Sequence, residues 1–161
     1  MLAAMRASEF MVEALTVTPE QSVRELVELL LRERADGACV VEASEDGPRL
    51  VGVVTTMDLV FQQKQVHLPS FFAFMDFMIP LEPPERLRHE LDKISASRVL
   101  DMMSAQPLSV GPDTPMDEVA SLMVDKHVSI VPVIEGDRLV GMVTKATLLR
   151  AVFARSASRG A

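Results

Sequence analysis

The apolar positions of the chain follow two periodicities. Residues 23–31 carry apolar side chains three and four positions apart, which predicts an amphipathic helix whose charged face lies in water. The runs 38–41 and 50–54 are almost wholly apolar and flank a turn-rich segment, so they predict adjacent antiparallel strands. With a short strand at 15–17 and a second helix opening at Thr55, the predicted order is strand, helix, strand, strand, helix.

The same order returns in the second half of the chain. An offset of 93 places Val17 and Val40 on Val110 and Val133, and an offset of 89 then places residues 50–55 on 139–144. The pattern Gly-hydrophobic-hydrophobic-Thr therefore occurs twice. A twofold repeat predicts a pseudo-symmetric domain of two units that share a core, because a solenoid needs about three or more repeats.

We predict that the repeats occupy residues 9–60 and 99–153, with an insert at 61–98 and a flexible polar tail at 154–161. The insert contains five of the seven phenylalanines and an amphipathic helical pattern. It is either an extra pair of helices that covers the shared core or a contact surface for another subunit or protein, since Phe and Met are enriched at interface centres. The sequence leaves both interpretations open.

Composition limits the function classes. Hydrophobic residues make up 48% and charged residues 24% of the 161 residues, as in folded soluble proteins. The net charge of -7 argues against sequence-independent binding of nucleic acid, which depends on cations that neutralise phosphates. The single cysteine, Cys39, lies in an apolar run where the second repeat has Pro132, so it is expected to be a small buried hydrophobe.

Membrane anchoring and catalysis are not predicted. The most apolar stretch, 71–81, contains Asp76 and Pro80 and is far shorter than the roughly 20 residues that span a bilayer. The N-terminus lacks the long apolar core of a signal peptide, so we expect a cytoplasmic protein. The three histidines are scattered and there is no nucleophile elbow or phosphate loop, which predicts that the chain is not an enzyme.

Taken together, the element order, the duplicated Gly-hydrophobic-hydrophobic-Thr pattern and Thr55-Thr56-Met57-Asp58 resemble the cystathionine-β-synthase (CBS) domain. Two such domains in tandem are called a Bateman module. The resemblance extends from about residue 9 to 152 and includes a start to each repeat in which a hydrophobic residue precedes Met, at 10–12 and 102–104. It implies an α/β fold in which two pseudo-symmetric βαββα repeats pack together, with a helical insert between them.

This resemblance implies a ligand. CBS pairs bind adenosine-containing molecules, such as AMP, ATP or S-adenosylmethionine, in clefts between the repeats. The family pattern assigns the ribose to Asp58 and the phosphate to Thr55, with Thr16, Ala38 and Cys39 near the base. A carboxylate suits a vicinal diol because it accepts two donors at once. Thr-x-x-Asp is also a common helix capping pair, so the two roles compete for the Asp58 carboxylate.

The second repeat departs from the pattern. Its motif is Thr144-Lys145-Ala146-Thr147, with a hydroxyl where the ribose-binding carboxylate is expected. Hydrogen bonds to charged groups contribute about 1.5–3 kcal/mol each, so the second cleft should bind roughly ten- to a hundredfold more weakly or stay empty. Lys145 is a candidate phosphate contact. The family's phosphate-holding basic positions are not basic here, which favours an AMP-like or S-adenosylmethionine-like ligand; they are Asp36, Gly37, Ser129 and Ile130.

The resemblance also implies a way of acting. CBS pairs commonly meet as flat dimeric discs and regulate another protein. We therefore expect a stand-alone regulatory module, without a metal or a catalytic cofactor, that acts through a homodimer or a protein target. The alternative is a ligand-free scaffold whose repeats and Phe-rich insert serve only dimerisation.

Overall fold

Residues 5–62 and 96–160 are the part of the chain that the computed structural model describes, so most of the predicted insert lies outside it. The described helices are α1 (Ala7–Phe10), α2 (Val23–Glu33), α3 (Thr56–Gln62), α4 (Val99–Met102), α5 (Met116–Asp125) and α6 (Lys145–Arg159). The described strands are β1 (Thr16–Val17), β2 (Gly37–Ser44), β3 (Gly47–Thr55), β4 (Ser104–Ala105), β5 (Ile130–Glu135) and β6 (Arg138–Thr144). They form one sheet in the order β1-β2-β3-β6-β5, with β4 paired to β3.

Strand registers confirm the twofold repeat. Val17 pairs with Val40 in parallel, and Val110 pairs with Val133 in the same way. Each repeat then forms an antiparallel hairpin, β2–β3 or β5–β6, and the register shifts directly after Val40 in one and after Val133 in the other. Residues that the offset of 93 places together thus occupy equivalent positions in space, and the predicted α/β fold class is confirmed.

The first long helix, α2, is capped at both ends by its neighbouring residues, Ser22 and Arg34. The Ser22 side chain accepts the backbone N–H of Glu25 at 3.1 Å, which satisfies one of the free donors of the first turn. Val23, Leu26 and Leu30 are buried on its inner face, as the apolar spacing predicts. At the other end Arg34 adopts a left-handed conformation, with φ at 52°.

Short arms at the start of each repeat are exchanged between the repeats. The first arm is residues 5–12 and the second arm is residues 96–105. Ala7 and Phe10 of the first arm pack in the core of the second repeat, whereas Val99 and Met102 of the second arm pack in the core of the first. The backbone follows the same exchange, since Val12 bridges to β6 and β4 pairs with β3. Each repeat therefore needs the other repeat's arm to complete its core.

The glycine of the duplicated pattern makes this exchange possible. A Cβ atom on Gly52 would lie 2.8 Å from Met103 Sδ and 2.9 Å from the carbonyl oxygen of Ser104. A Cβ atom on Gly141 would lie 2.6 Å from the sulfur of Met11. Only a residue without a side chain allows each arm to approach so closely. The space beside Gly52 is filled by Met103 and Ser104 of the second arm.

A third apolar cluster joins the two repeats. Its buried members are Cys39, Val41, Ile130, Leu139 and Met142. Burial raises the pKa of the Cys39 thiol to about 12, because the charged thiolate would lose its hydration. Cys39 is therefore the small buried hydrophobe that its apolar run predicts, and it lies where the repeats meet.

Helix α6 is longer than the sequence analysis predicts. The helical pattern was expected to end near Ala154, with a flexible tail beyond, but α6 continues to Arg159 and Gly160 is its C-cap. No glycine or proline interrupts residues 155–159, and the hydroxyl of Ser156 donates to the carbonyl of Val152 within the helix. The segment therefore contains no residue that breaks a helix.

We predict that Gly52→Ala and Gly141→Ala each lower the free energy of unfolding by about 1–3 kcal/mol, because the added methyl overpacks the contact with the opposite arm. Urea unfolding curves of the variants measure this change. Gly111→Ala is the matched control, since the nearest atom to its Cβ is 3.9 Å away. A loss in the two motif variants no larger than that in the control would contradict the role of the arms.

Candidate functional site

Each of the two hairpins, β2–β3 and β5–β6, ends at the start of a helix. β3 ends at Thr55 and leads directly into α3, and β6 ends at Thr144 and leads directly into α6. Thr55 is paired with Gly37, and Thr144 is paired with Ile130. Strand pairing therefore sets each threonine beside the segment that connects the first helix and second strand of its own repeat.

In the first repeat, Asp58 folds back onto its own helix start. Its Oδ2 atom accepts the backbone N–H of Thr55 at 2.7 Å and the Thr55 hydroxyl at 3.2 Å. The backbone N–H of Asp58 in turn donates to Thr55 Oγ1 at 3.4 Å. This is the helix-capping geometry, which is one of the two roles that the sequence predicts for Asp58. It occupies only one carboxylate oxygen, because no described residue donates to Oδ1 of this half-buried side chain.

In the second repeat the equivalent pair is Thr144 and Thr147, and both the acceptor and the donor of the Thr147 hydroxyl are used within it. Thr147 Oγ1 accepts the backbone N–H of Thr144 at 2.8 Å and donates to the Thr144 carbonyl at 2.9 Å. The backbone N–H of Thr147 donates to Thr144 Oγ1 at 3.2 Å. Thr147 is only 6% exposed. Its hydroxyl proton is already committed to the helix start, so this side chain offers no carboxylate and no spare donor to a ligand.

A cavity of about 220 Å³ opens beside this second pair, and we call it the second cleft. Residues from both repeats line it, together with one residue of the first arm. They are Val12, Arg34, Ala35, Asp36, Gly37, Ile130, Met142, Thr144, Ala146, Thr147 and Arg150. The second cleft is thus a cavity between the repeats, which is where the resemblance implies that a ligand binds.

Arg34 and Arg150 of this cleft were not among the sequence candidates, and Asp36 was named only as a phosphate-holding position of the family that is not basic here. Arg34 and Asp36 come from the end of α2 and the turn after it, and Arg150 comes from the second turn of α6. No short motif contains both arginines, so the sequence held no linear signal for them. Arg34 occupies the position that the offset of 93 relates to His127 in the second repeat. Both residues have a positive φ of 52°.

The candidates for contact with the base lie elsewhere. Thr16 is exposed on β1 and pairs with Cys39, and Ala38 pairs with Val54 next to the strand end that carries Thr55. Ala38 and Cys39 have no exposed surface in this structure. None of these three residues is among those that line the second cleft. The role near the base that the resemblance implies for them stays a prediction.

Lys145 lies on the outer side of the second repeat. Its side chain is exposed, and the residue lines a groove of about 480 Å³ between α5 and α6 rather than the second cleft. We call this the helical groove; it is lined by Ala120, Met123, Val124, His127, Val128, Lys145, Leu148 and Leu149. The phosphate contact suggested for Lys145 in the second cleft therefore has no support in the geometry.

In residues 5–62 and 96–160, no group of three or more His, Cys, Asp or Glu residues could hold a metal ion. No helix there is long and apolar enough to cross a membrane.

Comparison with known proteins identifies the architecture. The CBS domain family matches residues 7–64 and 99–154, one match for each repeat. The uncharacterized protein MJ1426 of Methanocaldococcus jannaschii is 24% identical over 92% of this chain and 91% of its own length.

Two solved structures share the fold. The crystal structure of CBSX2 of Arabidopsis thaliana in complex with AMP has a TM-score of 0.69 and 23% identity, over 94% of this chain and 98% of that one. The CBS domain pair of protein MJ0100, in complex with 5′-methylthioadenosine and S-adenosyl-L-methionine, has a TM-score of 0.67 and 19% identity over the same shares. Because the family matches both halves and its fold runs through nearly the whole length, the chain belongs to the CBS domain family as a tandem CBS pair.

Proposed function

We propose that this chain is a regulatory CBS-pair module that binds an adenosine-containing ligand between its repeats, with Asp58 as the group that holds the ribose. The observation that carries this proposal is that the two oxygens of the Asp58 carboxylate have different hydrogen-bonding environments. Oδ2 caps α3, while no described residue donates to Oδ1. A carboxylate has about four lone-pair sites, so capping and ligand binding do not exclude each other.

The chemistry of known ligands of similar folds supports the choice of ribose. CBSX2 was crystallised with AMP, and the MJ0100 pair with 5′-methylthioadenosine and S-adenosyl-L-methionine. These three molecules differ in the charge of the group attached to the 5′ carbon, but all of them contain adenosine with a 2′,3′-diol. Two vicinal hydroxyls are donors that a single carboxylate oxygen, or both, can accept.

Asp58→Thr tests this role while keeping the helix start intact. The second repeat already shows that Thr-x-x-Thr forms a reciprocal capping pair, at Thr144 and Thr147. We expect the variant to keep its unfolding midpoint but to bind AMP or S-adenosylmethionine about tenfold or more weakly, since the charged acceptor is lost. Isothermal titration calorimetry measures the affinity, and thermal unfolding provides the control. If the variant binds the same ligand with the affinity of the native chain, Asp58 does not contact the ligand.

We also propose that the module acts through assembly, with a second copy of the chain covering the helical groove. The groove is bordered by exposed apolar side chains: Val124 is 70% exposed, Leu149 is 56% exposed, and Phe153 is 69% exposed one turn further along α6. Contiguous apolar surface of this kind is characteristic of interaction sites. The same feature favours the alternative function, a scaffold that dimerises without ligand.

A charge placed in this groove should prevent assembly. We expect Leu149→Glu to convert a dimer into a monomer, because an unpaired carboxylate is costly to bury in an apolar contact. Size-exclusion chromatography with light scattering measures the mass in solution. Leu100→Glu is the matched control, since Leu100 is 53% exposed on α4 and does not line the groove. If both variants have the same mass as the native chain, the groove is not the contact.

Ligand binding and assembly are separable. A chain that dimerises through the groove but binds no adenosine compound would be the scaffold. A chain that binds ligand through Asp58 and whose dimer is altered by that ligand would be the sensor. Differential affinity of the ligand for two arrangements of the repeats is required in the second case.

A further inference from the structure

We propose that Met11 and Met103 form a pair of methionine oxidation sites that controls whether the arms stay docked on the opposite repeats. A hydroperoxide converts each thioether to a sulfoxide, and the oxidised side chain no longer fits against the glycine that it contacts. This inference goes beyond the proposed function, because it requires neither an adenosine ligand nor a dimer.

The two methionines make the same contact in both halves of the chain. A Cβ atom on Gly141 would lie 2.6 Å from Met11 Sδ, 3.0 Å from Met11 Cγ and 3.1 Å from the carbonyl oxygen of the next residue. A Cβ atom on Gly52 would meet the same three atoms of the second arm, with Met103 Sδ at 2.8 Å, Met103 Cγ at 3.3 Å and the carbonyl oxygen of the next residue at 2.9 Å. Any chemistry that changes these sulfurs therefore acts on both arms in the same way.

Oxidation changes both the size and the polarity of a thioether. The sulfur attacks one oxygen of the hydroperoxide, so that an S–O bond forms as the O–O bond breaks. The second oxygen leaves with a proton as water or an alcohol. Two electrons pass from the sulfur to the peroxide. The product is a polar sulfoxide in the place of an apolar side chain, a change that disrupts packed methionine contacts.

The arm contacts have neither room nor a hydrogen-bond donor for this new oxygen on the side of the glycine. Each sulfur is already so close to its glycine that a single added carbon atom would clash. The other polar atom of the contact is a carbonyl oxygen, which accepts hydrogen bonds and cannot donate one. Met11 and Met103 also pack against the apolar core of the opposite repeat, where a polar group without a partner is costly. Oxidation is therefore expected to release the arms.

Exposure decides which methionines a peroxide reaches first. Met11 and Met103 are half-buried, so their sulfurs are more accessible than those of the core. Three described methionines are buried: Met102, Met123 and Met142. Met57 is 55% exposed on α3 and belongs to none of the three apolar clusters. Oxidation of Met57 thus reports the dose of oxidant without disturbing an arm.

The experiment is hydrogen exchange of the full chain before and after treatment with hydrogen peroxide, with peptide mass spectrometry to locate the sulfoxides. The backbone N–H groups of Ala7, Ser8, Val99 and Leu100 donate to carbonyl groups of the opposite repeat, so they report the docking of both arms. We expect oxidation of the two arm methionines to speed the exchange of these amides by about tenfold or more, since it favours local opening of the arms.

The double variant Met11→Leu/Met103→Leu removes both reactive sulfurs and keeps an apolar side chain of similar volume. Its unfolding midpoint without peroxide checks that the arms remain docked, and we expect peroxide to leave the exchange of its arm amides unchanged. Each single variant should protect its own arm alone. Met5→Leu/Met116→Leu is the matched control, because it removes two half-buried methionines that pack against the second core without the glycine contact. The control should respond to peroxide as the native chain does.

Three results would overturn the proposal. The first is faster exchange after peroxide in Met11→Leu/Met103→Leu to the same extent as in the native chain. The second is sulfoxide at both positions without faster exchange of the arm amides. The third is no sulfoxide at Met11 or Met103 when Met57 is fully oxidised. Treatment with methionine sulfoxide reductase and dithiothreitol should restore slow exchange, and a failure to restore it would contradict a reversible control site.

Discussion

The contact between a methionine of each arm and a glycine of the opposite repeat is the constraint on which the rest of the structure depends. A Cβ on either glycine would lie within 2.8 Å of a methionine sulfur, so the approach of arm to sheet is as close as packing allows. Through these contacts each repeat completes the other's core. The two repeats are thereby held together in one arrangement, and the second cleft is formed where they meet.

Pseudo-symmetry preserves the backbone but not the chemistry of the two helix starts. Thr55 and Thr144 occupy equivalent strand ends, and both pairs cap the following helix. The carboxylate of Asp58 leaves one oxygen that no described residue uses, whereas Thr147 is fully engaged in its own helix start. In the same way Arg34 and His127 share a backbone conformation and differ in their side chains. Duplication thus provides two helix starts with the same backbone geometry and different hydrogen-bonding groups.

Much of the fold follows from patterns that a sequence displays directly. Strand pairing at Val17–Val40 and Val110–Val133 reproduces the offset of 93, and the Ser22 cap begins α2 where expected. The capping pair at Thr55 and Asp58 was also foreseen as one of two alternatives. The exchange of arms was not foreseen. The apolar pattern of an arm is compatible with the core of either repeat, so it does not indicate which core the arm enters. The length of α6 was underestimated, since small polar residues signal a loop and a helix end about equally well.

The sequence by itself determined the duplicated βαββα order, the α/β class and the placement of a threonine at each helix start, because these depend on periodicity and capping within a few residues. Only the tertiary structure decided which arm fills which core and which charges share a cleft. Arg34 and Arg150 belong to different repeats, and nothing local to either residue indicates the other. Both line the second cleft because that cleft lies between the repeats, which share an apolar cluster.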